Sequence, residues 1–163
     1  MLARAIAAVR ADRRLQLLAA AVAIGGAAFA WWTISPLFIT TTLVEQGGAA
    51  TGGQVVLRGE LQRVDDVHKG TGPVLVVEEG GKRSVRFMDV AIQNGPDLHV
   101  YLGRDRGGAY DGSKDLYLGA LKATNGTFTY EVPAGIDLGQ YGSVIVWCRA
   151  FSVLFTWADL AMP

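Results

Sequence analysis

The single cysteine of this 163-residue chain, Cys148, lies within YGSVIVWCRAFSVLFTWADL, residues 141–160. A thiol reacts as its thiolate, and a neighbouring cation favours that form. Cys148 beside Arg149 is therefore the first candidate for redox chemistry, with Trp147, Arg149, Phe151, Phe155 and Trp157 as its supporting shell. Neighbouring residues of a strand point to opposite faces, so Arg149 reaches the thiol only through a bulge or a loop. Val144, Val146 and Cys148 share one face, and Ile145, Trp147 and Arg149 share the other. Both faces are largely apolar, which marks a central strand, where a cysteine also serves as a small buried hydrophobe. Both readings stay open on the residues alone. A lone thiol has no resolving partner, which leaves sulfenic acid, an intermolecular disulfide or metal–thiolate ligation as its chemistry.

Cys148, His99 and Met88 supply ligand types that suit copper or haem. No C-x-x-C-H haem attachment motif accompanies them, and the second histidine, His68, falls in the turn-like DDVHKG. The aspartates at 65, 66, 89, 97, 105, 111 and 115 form no D-x-D-x-D-G array and read as solvated turn carboxylates rather than a calcium loop. Asn125-Gly126-Thr127 fits a glycosylation sequon, but the pair Asn-Gly is already explained as a hairpin turn. There is no catalytic triad, P-loop or paired-carboxylate motif, so no firm catalytic residue emerges and hydrolase or transferase chemistry is not indicated.

The charge distribution sets the frame for these residues. Formal net charge is zero, with 15 basic and 15 acidic residues. Arg4, Arg10, Arg13 and Arg14 face only Asp12 at the N-terminus, nothing from Leu15 to Val44 is charged, and acidic residues predominate from Glu45 onward. That asymmetry belongs to a membrane-inserted N-terminus and argues against nucleic acid as a partner. Residues 1–14 are expected to be a cytoplasmic basic segment. Residues 15–36 are expected to be a transmembrane signal-anchor, about 30 Å of helix in contact with the lipid bilayer. The arginines hold its start in the cytoplasm, and Trp31-Trp32 lie at the far interface. Ala28-Phe29-Ala30 offers a competing signal-peptidase pattern. Either way the rest of the chain lies on the extracytoplasmic face. Residues 37–53, Thr- and Gly-rich, are expected to be a flexible tether.

Residues 54–163 read as short strands cut by turns. Pro73–Glu79 and Lys82–Ile92 flank Gly80-Gly81, a hairpin signal. In the second strand Val85, Phe87 and Asp89 share a face opposite Arg86 and Met88. Asp97–Leu102 follows, then an exposed loop over 103–115 whose one aromatic is Tyr110. Leu116–Lys122 and the strand after Asn125-Gly126 form an expected hairpin. A short helical turn is expected around Asp137–Tyr141, and Ser143–Arg149 and Phe151–Phe155 close the domain. Eight or more strands without an intervening amphipathic helix predict an all-β antiparallel β-sandwich behind one N-terminal transmembrane helix.

The run NGPDLHVYL at 94–102, LGALK at 118–122, YEVPA at 130–134 with Asp137-Leu138, and Tyr141 through VWCR, FSVLF and ADL to residue 160 resemble the DM13 domain. The likeness extends from about Leu57 to the end. It implies a small extracytoplasmic β domain of a kind found beside DOMON and cytochrome b561 modules, with electron transfer through the motif cysteine, here Cys148. The expected function is a membrane-anchored redox or electron-transfer module with a redox partner. The alternative is a non-enzymatic binding or structural subunit of a larger membrane protein complex, with the small-residue run Ala19–Ala28 letting another helix approach.

Overall fold

Ala and Leu dominate RRLQLLAAAVAIGGAAFAWWTI, and no proline interrupts it. In the computed structural model it forms α1, Arg13–Ile34, 22 residues with no buried side chain. The structure describes residues 13–35, 39–45 and 53–163. The basic segment before Arg13 and most of the glycine-rich stretch after Glu45 lie outside these residues, as does Pro36. α1 is about 33 Å long at 1.5 Å per residue, and its length and composition suit a membrane span. It belongs to a unit, Met1–Phe38, separate from the β domain, Ile39–Pro163.

Among the described residues the β domain has eleven strands: β1 Thr42–Val44, β2 Gln54–Glu60, β3 Gln62–Arg63, β4 Gly70–Thr71, β5 Pro73–Glu79, β6 Lys82–Ile92, β7 Leu98–Gly103, β8 Leu116–Ala120, β9 Asn125–Val132, β10 Ser143–Cys148 and β11 Val153–Asp159. One sheet has the order β1-β9-β6-β5-β2 with β4 also on β6, and the other has the order β3-β11-β10-β7-β8. Between them lies one core built from alternating strand positions, including Val76, Val85, Phe87, Val100, Leu102, Phe128, Val144 and Val146. The rings of Phe87 and Phe128 stack at 5.1 Å and neither is exposed. Truncating either to alanine removes about 3–5 kcal/mol in this setting. Arg58 and Ala161 exchange backbone hydrogen bonds of 2.8 and 2.9 Å, joining the first sheet to the C-terminal segment that leaves the second. The predicted β-sandwich is observed.

Four details differ from the sequence reading. First, residues 39–45 do not form a tether. Thr42–Val44 pairs in parallel with β9, and Thr41 and Thr124 exchange several hydrogen bonds between 2.9 and 3.1 Å. Glu45 accepts from the Thr129 amide at 2.8 Å and pairs with Lys122 at 2.7 Å. β9 would otherwise be a sheet edge with open backbone groups, and β1 covers it.

Second, Asn125-Gly126 is not a hairpin turn. It opens β9, because β8 and β9 belong to different sheets. Gly126 has φ 109°, and a β-carbon there would collide with the carbonyl of Leu43. The glycine is needed for the close passage of β1, not for a turn.

Third, β6 carries a bulge between Phe87 and Val90. Asp89 takes φ 48° and is exposed, so Val90 enters the core in its place. Fourth, the last hairpin spans Ser143–Cys148 and Val153–Asp159, with Arg149–Ser152 as its turn. By contrast, Glu79 pairs with Lys82 around Gly80-Gly81 as expected, and the 3-10 turn Leu138–Gln140 is capped by Asp137.

Candidate functional site

Alternation along β10 decides the position of the thiol. Val144, Val146 and Cys148 point into the core, and Cys148 has 0% exposure. β10 lies between β7 and β11, so the strand is central. Of the expected shell, only Phe155 shares the core with the thiol. Trp147 and Arg149 flank it in sequence and lie outside it, Trp157 pairs across from outward-facing Ile145, and Phe151 is half exposed in the turn. The other two metal candidates are equally separated from it. His99 pairs with Trp147 on the outward face of the sheet, and Met88 is on β6 of the other sheet, outside the core cluster. The structure does not bring Cys148, His99 and Met88 together. Among the described residues no group of three His, Cys, Asp or Glu side chains could hold a metal ion.

What the structure gathers instead lies on the outer face of the second sheet. β7 turns Leu98, Val100 and Leu102 inward and His99 and Tyr101 outward. Register places Tyr101 between Ile145 of β10 and Tyr117 of β8. The loop between β7 and β8 folds back over this face. Its Tyr110 stacks on Trp147 with centroids 4.3 Å apart and rings 22° from parallel, and meets Tyr101 edge-on at 4.9 Å. Tyr101 lies 5.3 Å from Tyr117, whose ring is 5.6 Å from His99. Five rings therefore run in one contiguous line, with successive centroids 4.3, 4.9, 5.3 and 5.6 Å apart.

Arg149 binds this line and not the thiol. Its Nε donates to the Tyr101 hydroxyl at 2.6 Å, and its guanidinium sits 4.3 Å from the centre of the Tyr117 ring. The hydrogen bond to Tyr101 holds the guanidinium above its ordinary pKa. Burial, and then the hydrogen bond with Tyr101, push the Tyr110 phenol from its ordinary 10.0 to about 12. At the exposed end His99 bridges two groups. Its Nε2 is 2.7 Å from Asp97 Oδ1 and its Nδ1 is 3.0 Å from the Tyr117 hydroxyl.

The covering loop is held by its own polar contacts. Asp115 accepts from the amides of Arg104 and Asp111, and Asp159 accepts from Gly107 at 2.8 Å. Gly108, at φ 73°, lies against Leu154 and Trp157, and a β-carbon there would come within 2.6 and 3.0 Å of them. The loop is exposed along most of its length, as expected, but Gly108 is buried and Tyr110 is packed. An open depression of about 910 Å³ elsewhere is lined by Arg83, Arg104 and Arg106. Those arginines are already engaged, with Glu78 and the carbonyls of Ile136, Lys114 and Leu160.

Residues 61–160, more than half of the chain, match the family described as "Electron transfer DM13". The chain belongs to the DM13 family. No curated protein matches it. Its fold is similar to superoxide dismutase 5 of Candida albicans. The copper(II) form is 12% identical with a TM-score of 0.44, covering 67% of this chain and 92% of that one. Two mutant forms give TM-scores of 0.44 and 0.45 at 11% and 12% identity, covering 67% and 69% of this chain and 92% and 94% of theirs. Within this DM13 domain the motif cysteine is core, and Tyr101, Tyr110, Tyr117 and Asp97 are the residues that sequence reasoning passed over. Two signals pointed to them: the alternation His99–Tyr101 within one strand, and a lone aromatic in a charged, glycine-rich loop.

Proposed function

We propose that this protein is a membrane-anchored module that passes single electrons to or from a redox partner, and that the outer-face aromatics carry them. α1 anchors it in the lipid bilayer, and the arginines before it keep its start cytoplasmic, which puts the DM13 domain on the extracytoplasmic side. The observation that carries this reading is the unbroken contact from Trp147 through Tyr110 and Tyr101 to Tyr117. Tryptophan and tyrosine side chains can give up one electron without a metal. Here they run from a half-buried indole to a phenol that is 44% exposed, where a partner can meet it.

Cys148 is not the carrier in this reading. Thiol redox chemistry requires access of a second sulfur, an oxidant or a metal to the sulfur atom. The sulfur of Cys148 is enclosed by the core.

The test uses the full chain in detergent micelles with a photogenerated ruthenium(III) polypyridyl oxidant. Transient absorption and electron paramagnetic resonance should report tyrosyl and tryptophanyl radicals in the wild type. Cys148→Ala should retain them, and the triple variant Trp147→Phe, Tyr110→Phe, Tyr117→Phe should lose most of the yield. Loss of the signal in Cys148→Ala with the fold intact would overturn the proposal.

A further inference from the structure

Oxidising a phenol by one electron makes its proton strongly acidic, so the step is slow unless a base receives that proton as the electron leaves. The three tyrosines of the line differ in this respect. The Tyr101 hydroxyl accepts from the Arg149 guanidinium, which offers no basic site. Tyr110 meets Tyr101 ring edge to ring face, and its burial favours the protonated phenol. Tyr117 instead has its hydroxyl against an imidazole nitrogen.

The polarity of that contact follows from the other side of the ring. Asp97, 41% exposed, is a carboxylate and can only accept, so the 2.7 Å contact requires Nε2–H to donate. In the neutral ring Nδ1 then carries a lone pair and accepts from the Tyr117 O–H. A carboxylate fixing the imidazole tautomer in this way leaves the opposite nitrogen ready as a base. The His99 side chain is 12% exposed, which holds the ring in place.

We infer that Tyr117, His99 and Asp97 form a proton-coupled redox relay, in which His99 takes the phenolic proton of Tyr117 as that ring loses an electron. This rests on the reading of the outer-face aromatics as the electron carriers and adds to it the site where charge is held. In the forward step the electron leaves Tyr117 for a one-electron oxidant, such as the oxidised metal centre of a partner protein. The Tyr117 O–H bond breaks and a new N–H bond forms at His99 Nδ1. The products are a neutral tyrosyl radical and an imidazolium whose charge Asp97 offsets. When a one-electron donor reduces the radical, the proton returns from Nδ1. No atom leaves the site, and nothing is consumed beyond the partner's redox equivalents.

Asp97 contributes a second position to the same end of the line. Its backbone carbonyl accepts from the Arg149 amide at 3.0 Å, so the turn that carries the guanidinium is tied to the segment that carries the carboxylate. The guanidinium lies on the face of the Tyr117 ring, where it opposes a cationic radical and favours loss of the proton with the electron.

The relay should depend on pH. The titratable and charged groups around the ring are Asp97 just before β7, Tyr101 on β7, Tyr117 from β8 and Arg149 from the turn after β10. Of these, Asp97 is the group bonded to the far nitrogen of the imidazole. Protonating His99 turns Nδ1 into a donor and removes the base, so only the neutral ring can take the Tyr117 proton.

The experiment is flash photo-oxidation of the full chain by the ruthenium(III) probe, read by transient absorption in water and deuterium oxide across pH. The wild type should give a tyrosyl radical formed with a solvent isotope effect. Tyr117→Phe should remove that component while leaving the tryptophanyl component. His99→Gln should slow it by about 10²-fold, the usual contribution of a positioned base, and abolish its pH dependence. Asp97→Asn, which alters the surface least, should slow it to a smaller extent and serves if His99→Gln fails to fold. If radicals form on Trp147 and Tyr110 but Tyr117→Phe and His99→Gln change nothing, the relay is wrong and the electron-transfer reading stands. If no aromatic radical forms in any variant, both are overturned.

Discussion

Cys148 and Arg149 are joined by a peptide bond and do different work on either side of a sheet. The thiol is closed into the core, while the guanidinium reaches outward to the Tyr101 hydroxyl and the face of Tyr117. Their adjacency in sequence suggested an activated thiol. Strand alternation carries them apart, and the turn that begins at Arg149 completes the separation.

A first prediction concerns that thiol. Cys148 should resist thiol-specific reagents in the native protein and react only on unfolding, so its labelling rate should track the unfolded fraction in a denaturant series. Cys148→Ser should be the more costly change, by about 1–3 kcal/mol, because it leaves a hydroxyl in an apolar core. Cys148→Ala should cost about 1 kcal/mol for the small void. Rapid labelling of the native protein would refute the core assignment.

A second prediction concerns Tyr110. Burial and the bond with Tyr101 favour its neutral phenol, raising it from 10.0 to about 12. A raised folded value means that the stabilisation is complete below pH 10 and is lost as pH climbs toward 12. Ultraviolet difference titration should show a late tyrosinate component that Tyr110→Phe removes. Burial raises Tyr130 too, so that phenol should also titrate late and remain in the variant. A Tyr110 component titrating near 10 would contradict the stacked geometry.

The fold was largely legible because strand alternation and turn chemistry are local. Gly80-Gly81 needed no tertiary information to mark its turn. Asn125-Gly126 shows where that local signal misleads, since its glycine serves a strand, β1, that arrives from more than 80 residues away. The outer-face site was hard to read for a similar reason. Trp147 and Tyr101 lay on recognisable strands, but the loop residue Tyr110 gains its meaning only when the chain folds back over β10. A lone cysteine drew attention by its chemistry, whereas ordinary tyrosines acquire theirs from neighbours such as His99.

A third prediction tests the strand that replaced the expected tether. Gly126→Ala places a β-carbon against the Leu43 carbonyl at a backbone conformation that L-residues rarely adopt. It should destabilise the domain by about 1–3 kcal/mol. The effect should be concentrated at β1, with amide exchange rising first at the Glu45 amide, which donates to the Thr127 carbonyl. Glu45→Ala should produce a milder form of the same loosening by releasing Lys122 and the Thr129 amide. Unchanged exchange at Glu45 in both variants would show that residues 39–45 are not held to β9.

A fourth prediction separates the two histidines by their carboxylate partners. Asp65 accepts from the amides of Val67 and His68 and from the His68 ring, at 2.7, 2.6 and 2.7 Å. These contacts, the His68 ring first, hold its carboxyl down from an ordinary 3.8 to about 2. A depressed folded value means that the contribution to stability is present above pH 4 and disappears as pH falls toward 2. The Asp65 side chain is half exposed, so the benefit is local to the turn and should fade with salt. Carboxylate chemical shifts followed through an acid titration should show Asp65 titrating near 2. In His68→Ala that midpoint should move up toward 3.8, and the edge-on contact of His68 with Phe155, 4.7 Å between centroids, should be lost with it. Because Phe155 is a core residue, the variant should also show a small loss of thermal stability at neutral pH, where the Asp65 contact alone predicts no pH-dependent change. An Asp65 midpoint that stays near 2 without the imidazole would assign the depression to the two backbone amides instead.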